Sequence, residues 1–72
     1  MLILDANDFG CAVRQARKAR GLSQQQLADL SGVGITFVSN LERGKASSEL
    51  EKAIRVALTA GIDISMRDRI SQ

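Results

Sequence analysis

The side chains with which this sequence could do chemistry are two clusters of basic residues and the amide and hydroxyl groups between them. Arg14, Arg17, Lys18 and Arg20 form the first cluster, and Arg43 and Lys45 form the second. Acidic residues elsewhere reduce the formal net charge to +2. Two basic clusters can meet a polyanion such as a nucleic acid, but they can equally be solvated surface.

The same residues exclude several kinds of active site. The chain has no histidine and a single cysteine, Cys11. An internal disulfide, the common zinc sites and a catalytic triad with a histidine base are therefore impossible. We expect no enzymatic activity, no cofactor and no metal, and we expect Cys11 to be a small packing residue.

The length of 72 residues allows one domain, residues 1–72, with a marginal core. A chain of this size buries roughly 60% of its unfolded surface, so regular helix packing or oligomerisation must supply stability. No apolar run approaches the roughly 18 residues of a membrane span, and the first residues lack the basic region of a signal peptide. We expect a cytoplasmic protein with no membrane partner, which a free thiol also fits.

Glycine and serine residues divide the chain into four predicted helices within a core of residues 9–61. These helices cover Phe9–Arg20, Gln24 to Leu30 or Ser31, Ile35–Arg43, and a segment that follows Ser48 and ends at Gly61. We expect Asn7 or Asp8 to cap the first helix. Ser23 and Ser48 are each followed three residues later by glutamine or glutamate, which predicts two capping boxes.

The spacing of apolar residues predicts the buried face of each helix. The predicted core residues are Phe9, Val13 and Ala16 in the first helix, Leu27 and Leu30 in the second, Val38 and Leu41 in the third, and Leu50, Ile54, Ala57 and Leu58 in the fourth. The predicted fold is mainly α.

The last segment changes its period. Residues 62–67 alternate apolar and polar side chains, as a half-buried strand does, with Ile62, Ile64 and Met66 on one edge. Met1–Leu4 can form a second short strand. Because a lone strand leaves its backbone groups and its apolar face without partners, we expect residues 62–67 to pair with the same strand of a second copy in a homodimer.

Residues Gln24 to Arg43, a helix, a short turn and a second helix, have the arrangement of a helix-turn-helix, whose second helix can lie in the DNA major groove. The motifs that carry a closer resemblance are Gly21-Leu22-Ser23-Gln24, Leu27-Ala28, Gly32-Val33, Val38-Ser39 and Leu41-Glu42-Arg43-Gly44-Lys45. Together they resemble the Xre or lambda-repressor-like family over residues 9–61. The resemblance implies a four-helix domain that binds double-stranded DNA and represses transcription.

A finer resemblance, to HipB-type antitoxins, lies in residues 37–45, in Leu50 and Arg55-Val56 of the fourth helix, and in Gly61-Ile62-Asp63-Ile64. It implies a homodimer joined by its C-terminal strands, a palindromic operator in its own operon and a HipA-like kinase toxin as partner. The alternatives are a protein-interaction module that mainly sequesters such a toxin and a stand-alone phage-type repressor.

The family resemblance also implies roles for individual residues. Gln24, at the start of the second helix, is expected to hold a DNA phosphate together with the N–H groups of that helix. Arg43 and Lys45 are expected to contact phosphates. All three can instead be ordinary surface residues. Arg17 and Glu42 match an ion pair that joins the first helix to the third, which is a structural role.

Four residues occupy the groove-facing positions of the second helix of the motif: Ile35, Thr36, Phe37 and Asn40. Asparagine can pair with adenine, and threonine can contact a thymine methyl group. The sequence departs from the family pattern at Gly34, where a capping residue is usual, and at Ile35, where a polar reader is common. Ile35 and Phe37 can each read bases or pack in the core.

Overall fold

Four α-helices and the turns between them form the described part of the chain. A computed structural model describes residues 2–45 and 49–70. Its helices are α1 (Ala6–Ala19), α2 (Gln24–Ser31), α3 (Ile35–Glu42) and α4 (Leu50–Thr59). The mainly α, four-helix architecture predicted from the sequence is confirmed. Within the described ranges, the helices are too short or too polar to cross a membrane.

Helix α1 begins earlier than the sequence predicted. Its N-cap is Asp5, whose carboxylate accepts a hydrogen bond from the backbone N–H of Asp8 at 2.8 Å. Asp8 in turn accepts from the backbone N–H of Leu4 at 3.0 Å. The predicted cap at Asn7 or Asp8 is therefore wrong, because the cap at Asp5 places both of these residues inside the first turn of α1.

Local chemistry fixes both ends of α2 and the turn that leads to α3. Ser23 Oγ accepts from the Gln26 N–H at 3.0 Å, and Gln26 Oε1 accepts from the Ser23 N–H at 2.8 Å, which confirms the predicted capping box. Gly32 ends α2 with a φ of 72°, a left-handed conformation that a side chain would strain. Gly34 then starts α3 without any side-chain cap.

The core lies where the four helices meet, and each helix contributes one large, fully buried side chain. These are Val13, Leu27, Val38 and Val56. Helices α1 and α3 approach closely at Gly10, where an added Cβ would overlap the backbone carbonyl oxygen of Leu41. Glycine at this point lets α1 hold the end of α3 in place.

Two of the predicted buried faces are wrong in part, because Leu27 of α2 is buried as predicted but three of the predicted leucines are exposed. Leu30 is 66% exposed, because Leu27, Ala28 and Ser31 take the core side of α2. In α4, Leu50 and Leu58 are also exposed, although Ala57 is buried as predicted. The buried residues of α4 are Ala53, Val56 and Ala57, and its C-cap residue Ala60 is also buried. The small side chains of the alanines let α4 pack closely on α2. The predicted cap Ser48 lies outside the described residues.

The predicted strands do not form within the described residues. Residues 62–68 form neither a helix nor a strand, and Met66 is 97% exposed. Ile62 alone of the three expected edge residues packs against the core. The predicted strand at 62–67 and its counterpart near Leu2–Leu4 are therefore wrong for the single chain, because a strand requires a partner for its backbone hydrogen bonds. Met1 lies outside the described residues.

Candidate nucleic-acid interface

A buried carboxylate joins three parts of the fold around the end of α3. Arg17 donates to both oxygens of Glu42, from Nε to Oε2 at 2.7 Å and from Nη2 to Oε1 at 3.0 Å. The side chains are 10% and 3% exposed. Arg17 Nη1 also donates to the Leu22 carbonyl oxygen at 2.9 Å, which ties in the α1–α2 turn. The hydrogen bond to Glu42 raises the pKa of Arg17, with a smaller contribution from the attraction of opposite charges, although burial opposes the rise.

The side chain of Gln24 belongs to the same network. Its Nε2 donates to Glu42 Oε1 at 3.0 Å, so the first residue of α2 is bonded to the last residue of α3. The amide that the resemblance assigns to a phosphate therefore holds two helices in register in the free protein. The backbone N–H groups of Gln24 and Gln25 remain at the start of α2, where the first turn of a helix has no internal acceptors and the helix dipole is positive.

The outward face of α3, continued by its C-cap residue Arg43, is a stripe of three polar residues. Thr36, Asn40 and Arg43 follow one another at spacings of four and three, which places them on the same side of a helix. Thr36 and Arg43 are exposed and Asn40 is half-buried. The opposite side of α3 holds Val38 and Leu41 in the core. We call Thr36, Asn40 and Arg43 the outward stripe.

The remaining two groove-facing candidates flank this stripe. Ile35 is 41% exposed at the start of α3. Phe37 is half-buried and packs against the core, and the ammonium of Lys52 lies 5.9 Å from the centre of its ring. The structure therefore brings Thr36 and Asn40 together, leaves Ile35 beside them and turns Phe37 away.

The two basic residues after α3 differ in their surroundings. Arg43 Nη2 donates a hydrogen bond to Asn40 Oδ1, so its guanidinium lies beside the Asn40 amide within the outward stripe. Lys45 is exposed beyond the turn at Gly44, and its backbone N–H donates to the Asn40 carbonyl oxygen at 3.0 Å. From the sequence, both Arg43 and Lys45 were expected to contact phosphates. The spacing of Arg43 from Thr36 and Asn40 was nevertheless enough to place it on the outward stripe.

Comparison with known protein families identifies the family to which the chain belongs. The helix-turn-helix family profile matches residues 13–66. The chain belongs to the helix-turn-helix family, of the Xre and lambda-repressor-like kind. Helix-turn-helix regulators bind DNA, and in this chain α2 and α3 are the two helices of the motif.

Three relatives show how this helix-turn-helix chain compares with known proteins. It is 39% identical over 59 residues to y4mF of Sinorhizobium fredii, an uncharacterized HTH-type transcriptional regulator, which covers 82% of this chain and 78% of that protein. It is 54% identical over 37 residues to the competence pilus inhibition repressor of Acinetobacter baylyi, which covers 51% of this chain and 34% of the repressor. It also resembles the crystal structure of the restriction-modification controller protein C.AhdI from Aeromonas hydrophila, with 37% identity and a TM-score of 0.72 over 82% of this chain and 86% of that chain.

Proposed function

We propose that this protein is a sequence-specific DNA-binding repressor of transcription that acts by placing α3 in the major groove. The observation that carries the proposal is the outward stripe of Thr36, Asn40 and Arg43, the solvent-facing side of the motif's second helix. A stripe of hydrogen-bonding side chains can read base edges only if its helix is held rigidly. The Glu42 network, which bonds α3 to α1 and to α2, supplies that rigidity.

Phosphate contacts complete the proposed complex. The start of α2 offers the backbone N–H groups of Gln24 and Gln25 to an anion, and the bond between Gln24 and Glu42 fixes the position of these groups relative to α3. Lys45 supplies a positive charge just beyond the same C-terminal end of α3. Contacts of this kind set the register of a protein on the duplex without reading its sequence.

We also propose that the protein binds a palindromic operator as a homodimer. The support is the apolar surface of the terminal segments: Leu2, Ile64 and Met66 line an open cavity of about 700 Å³ over Val13 and the rest of the α1 side of the core. Such side chains gain about 1.5 to 3 kcal/mol each when buried. Pairing of residues 62–67 between two copies would bury them and satisfy the backbone of both strands.

An antitoxin function is a second proposal, which rests on the resemblance of residues 37–45 and 61–64 to HipB-type antitoxins. Exposed apolar side chains on α4, Leu50 and Leu58, support a protein partner in addition to DNA. The partner implied by the resemblance is a HipA-like kinase toxin encoded beside this gene. Co-expression with the adjacent reading frame, followed by purification of the tagged chain, tests this proposal. A neighbouring kinase-like protein that never co-purifies would contradict it and leave the DNA-binding proposal in place.

Selection of DNA from a random library tests the DNA-binding proposal directly. Duplexes with a randomised central segment are enriched on the full-length protein, and affinities for the enriched sequence and for a shuffled duplex are then measured by fluorescence anisotropy. We expect one enriched sequence with twofold symmetry, here named the selected site, bound at least a thousandfold more tightly than the shuffled duplex. Equal affinity for both duplexes would contradict sequence-specific binding.

Substitutions of lysine and arginine then separate the proposed interface from general charge. Lys45→Ala should weaken binding to the selected site and to the shuffled duplex by similar factors, because a phosphate contact carries no sequence information. Arg14→Ala removes the same charge from an exposed position of α1, outside the proposed contacts, and serves as the matched control. An equal loss from both variants would mean that Lys45 has no particular position on the DNA.

A further inference from the structure

We propose that Asn40 and Arg43 act as one unit that reads a guanine, an inference that rests on the proposed DNA-binding function. The two side chains lie on the outward stripe one helical turn apart, and Arg43 Nη2 donates to Asn40 Oδ1. Arginine has five N–H donors and no acceptor. The bond therefore fixes the orientation of the Asn40 amide, with its oxygen toward Arg43 and its Nδ2 away from it.

The bond changes what Asn40 can offer to a base. A free asparagine pairs with adenine by accepting from N6 and donating to N7. Here the acceptor of Asn40 is already bonded to a cation, and the guanidinium beside it would meet the N6 donor of adenine as another donor. The groups that remain for DNA are the Nδ2 hydrogens of Asn40 and the unused N–H groups of Arg43. The unit is thus a set of donors.

Guanine is the base that matches a set of donors. In the major groove it presents two acceptors, N7 and O6, whereas adenine presents one acceptor and one donor. Arginine bound to N7 and O6 is the commonest specific contact in protein–DNA complexes. The bond to Asn40 restrains Arg43 before DNA arrives, which lowers the entropy cost of ordering a long side chain.

The position of the unit predicts where the guanine lies. Asn40 lies in the second half of α3 and Arg43 is its C-cap residue, and Thr36 precedes Asn40 on the same stripe by one turn. The guanine should therefore lie next to the base pair that faces Thr36, once in each half of the selected site. Phosphate oxygens are also acceptors, and the experiment must separate a phosphate contact from a guanine contact.

The test removes the N7 acceptor of guanine from the DNA and the guanidinium of Arg43 from the protein. Each change is made alone, and then both are made together. In the selected site each guanine in turn is replaced by 7-deazaguanine, which lacks the N7 acceptor. We expect one such replacement per half-site to weaken binding of the full-length protein about tenfold, and to have no further effect on the Arg43→Ala variant. Thr36→Ala, from the same stripe, is the matched control and should keep the tenfold loss.

Two further measurements separate the loss of a base contact from a folding defect. Arg43 is exposed, so Arg43→Ala should retain its helical circular dichroism and its unfolding temperature. Asn40→Ala removes the restraint on Arg43 and should reduce the 7-deazaguanine effect to a few fold.

Three outcomes would overturn the inference and leave the proposed function in place. Selected sites without a guanine in the half-site, or a 7-deazaguanine effect that persists in Arg43→Ala, would show that the unit does not read guanine. An Arg43→Ala variant that loses the same factor on the selected site and on the shuffled duplex would show a phosphate contact instead. Failure of the unaltered protein to enrich any duplex would instead contradict the proposed function, and this inference with it.

Discussion

Arg17 in α1 and Glu42 at the end of α3 form a two-bond ion pair that is almost wholly buried, with N–O distances of 2.7 and 3.0 Å. A pair of this kind has a large desolvation cost, which its two hydrogen bonds offset. Glu42 also accepts from Gln24 at 3.0 Å. One carboxylate therefore holds together the helix that supports the motif and both helices of the motif itself.

Glu42→Ala should destabilise the protein by about 3 kcal/mol, because it leaves the Arg17 guanidinium buried without its counter-ion. For a domain of this size, such a loss lowers the unfolding temperature by well over 10 °C. A double-mutant cycle of Arg17→Met and Glu42→Leu should give a coupling energy above about 1 kcal/mol. Chemical denaturation followed by circular dichroism measures all four proteins.

The exposed pair of Glu51 and Arg55 on α4 is the matched control for that cycle. Its N–O distance is 3.9 Å, and the Glu51 side chain is 94% exposed. Glu51→Ala should change the free energy of unfolding by less than about 0.5 kcal/mol. A coupling between Arg17 and Glu42 no larger than that of the surface pair would contradict the structural role assigned to the buried one.

Gly10→Ala should destabilise the protein although it places a better helix former in α1. Alanine gains about 1 kcal/mol in helix propensity, but its Cβ would overlap the carbonyl oxygen of Leu41 and lie 2.9 Å from that of Glu42. Backbone atoms cannot rotate away as a side chain can, so α1 and α3 must separate. We expect a net loss of at least 1 kcal/mol, measured by thermal unfolding.

Cys11→Ala, at an exposed position of the same helix, should change stability by less than about 0.5 kcal/mol. A Gly10→Ala variant as stable as the unaltered protein would show that α1 and α3 do not approach this closely.

Lys45→Ala should reduce the salt dependence of DNA binding. Each cation that neutralises a phosphate contributes about −0.9 to the slope of log K against log salt concentration. A dimer loses two such contacts, so the slope should become smaller in magnitude by about 2 units. Anisotropy titrations at four or more salt concentrations give the slope. An unchanged slope would place Lys45 away from the phosphates.

The sequence predicted the capping box of α2, which depends only on neighbours along the chain, although it missed the equally local cap of α1 at Asp5. Ser23 and Gln26 are three residues apart, and their capping box needs nothing beyond the first turn of α2. The buried faces of α2 and α4 depend instead on which side chains the other helices present. Leu58 fits the helical period as well as Val56 does, and only the packing of α4 on α2 decides which of them is buried.

In the candidate site too, the sequence predicts the features that depend on spacing along the chain and misses those that join separate helices. The outward stripe follows from the spacing of Thr36, Asn40 and Arg43 and from the apolar residues on the other side of α3. The bond between Gln24 and Glu42 joins two helices, and no spacing along the sequence indicates it. The pattern of residues 62–67 indicates an apolar edge, but a pattern cannot state whether the partner of that edge lies in the same chain or in another.

A substitution in residues 62–67 tests whether the partner of this segment lies in the same chain or in a second copy. In the single chain Met66 is 97% exposed, so Met66→Lys should not affect the folding of one copy. If residues 62–67 pair across a twofold axis, the substitution places two like charges in the interface and removes the burial of two methionines, at a cost of about 1.5 to 3 kcal/mol for each. We expect the dimer dissociation constant to rise at least tenfold in analytical ultracentrifugation, and the affinity for the selected site to fall because two half-sites are no longer bound together. Ile70→Lys is the matched control, since Ile70 is 93% exposed and lies beyond the predicted strand. A Met66→Lys protein that sediments as the same dimer as the control would mean that the helices carry the interface, with Leu50 and Leu58 of α4 the next residues to substitute.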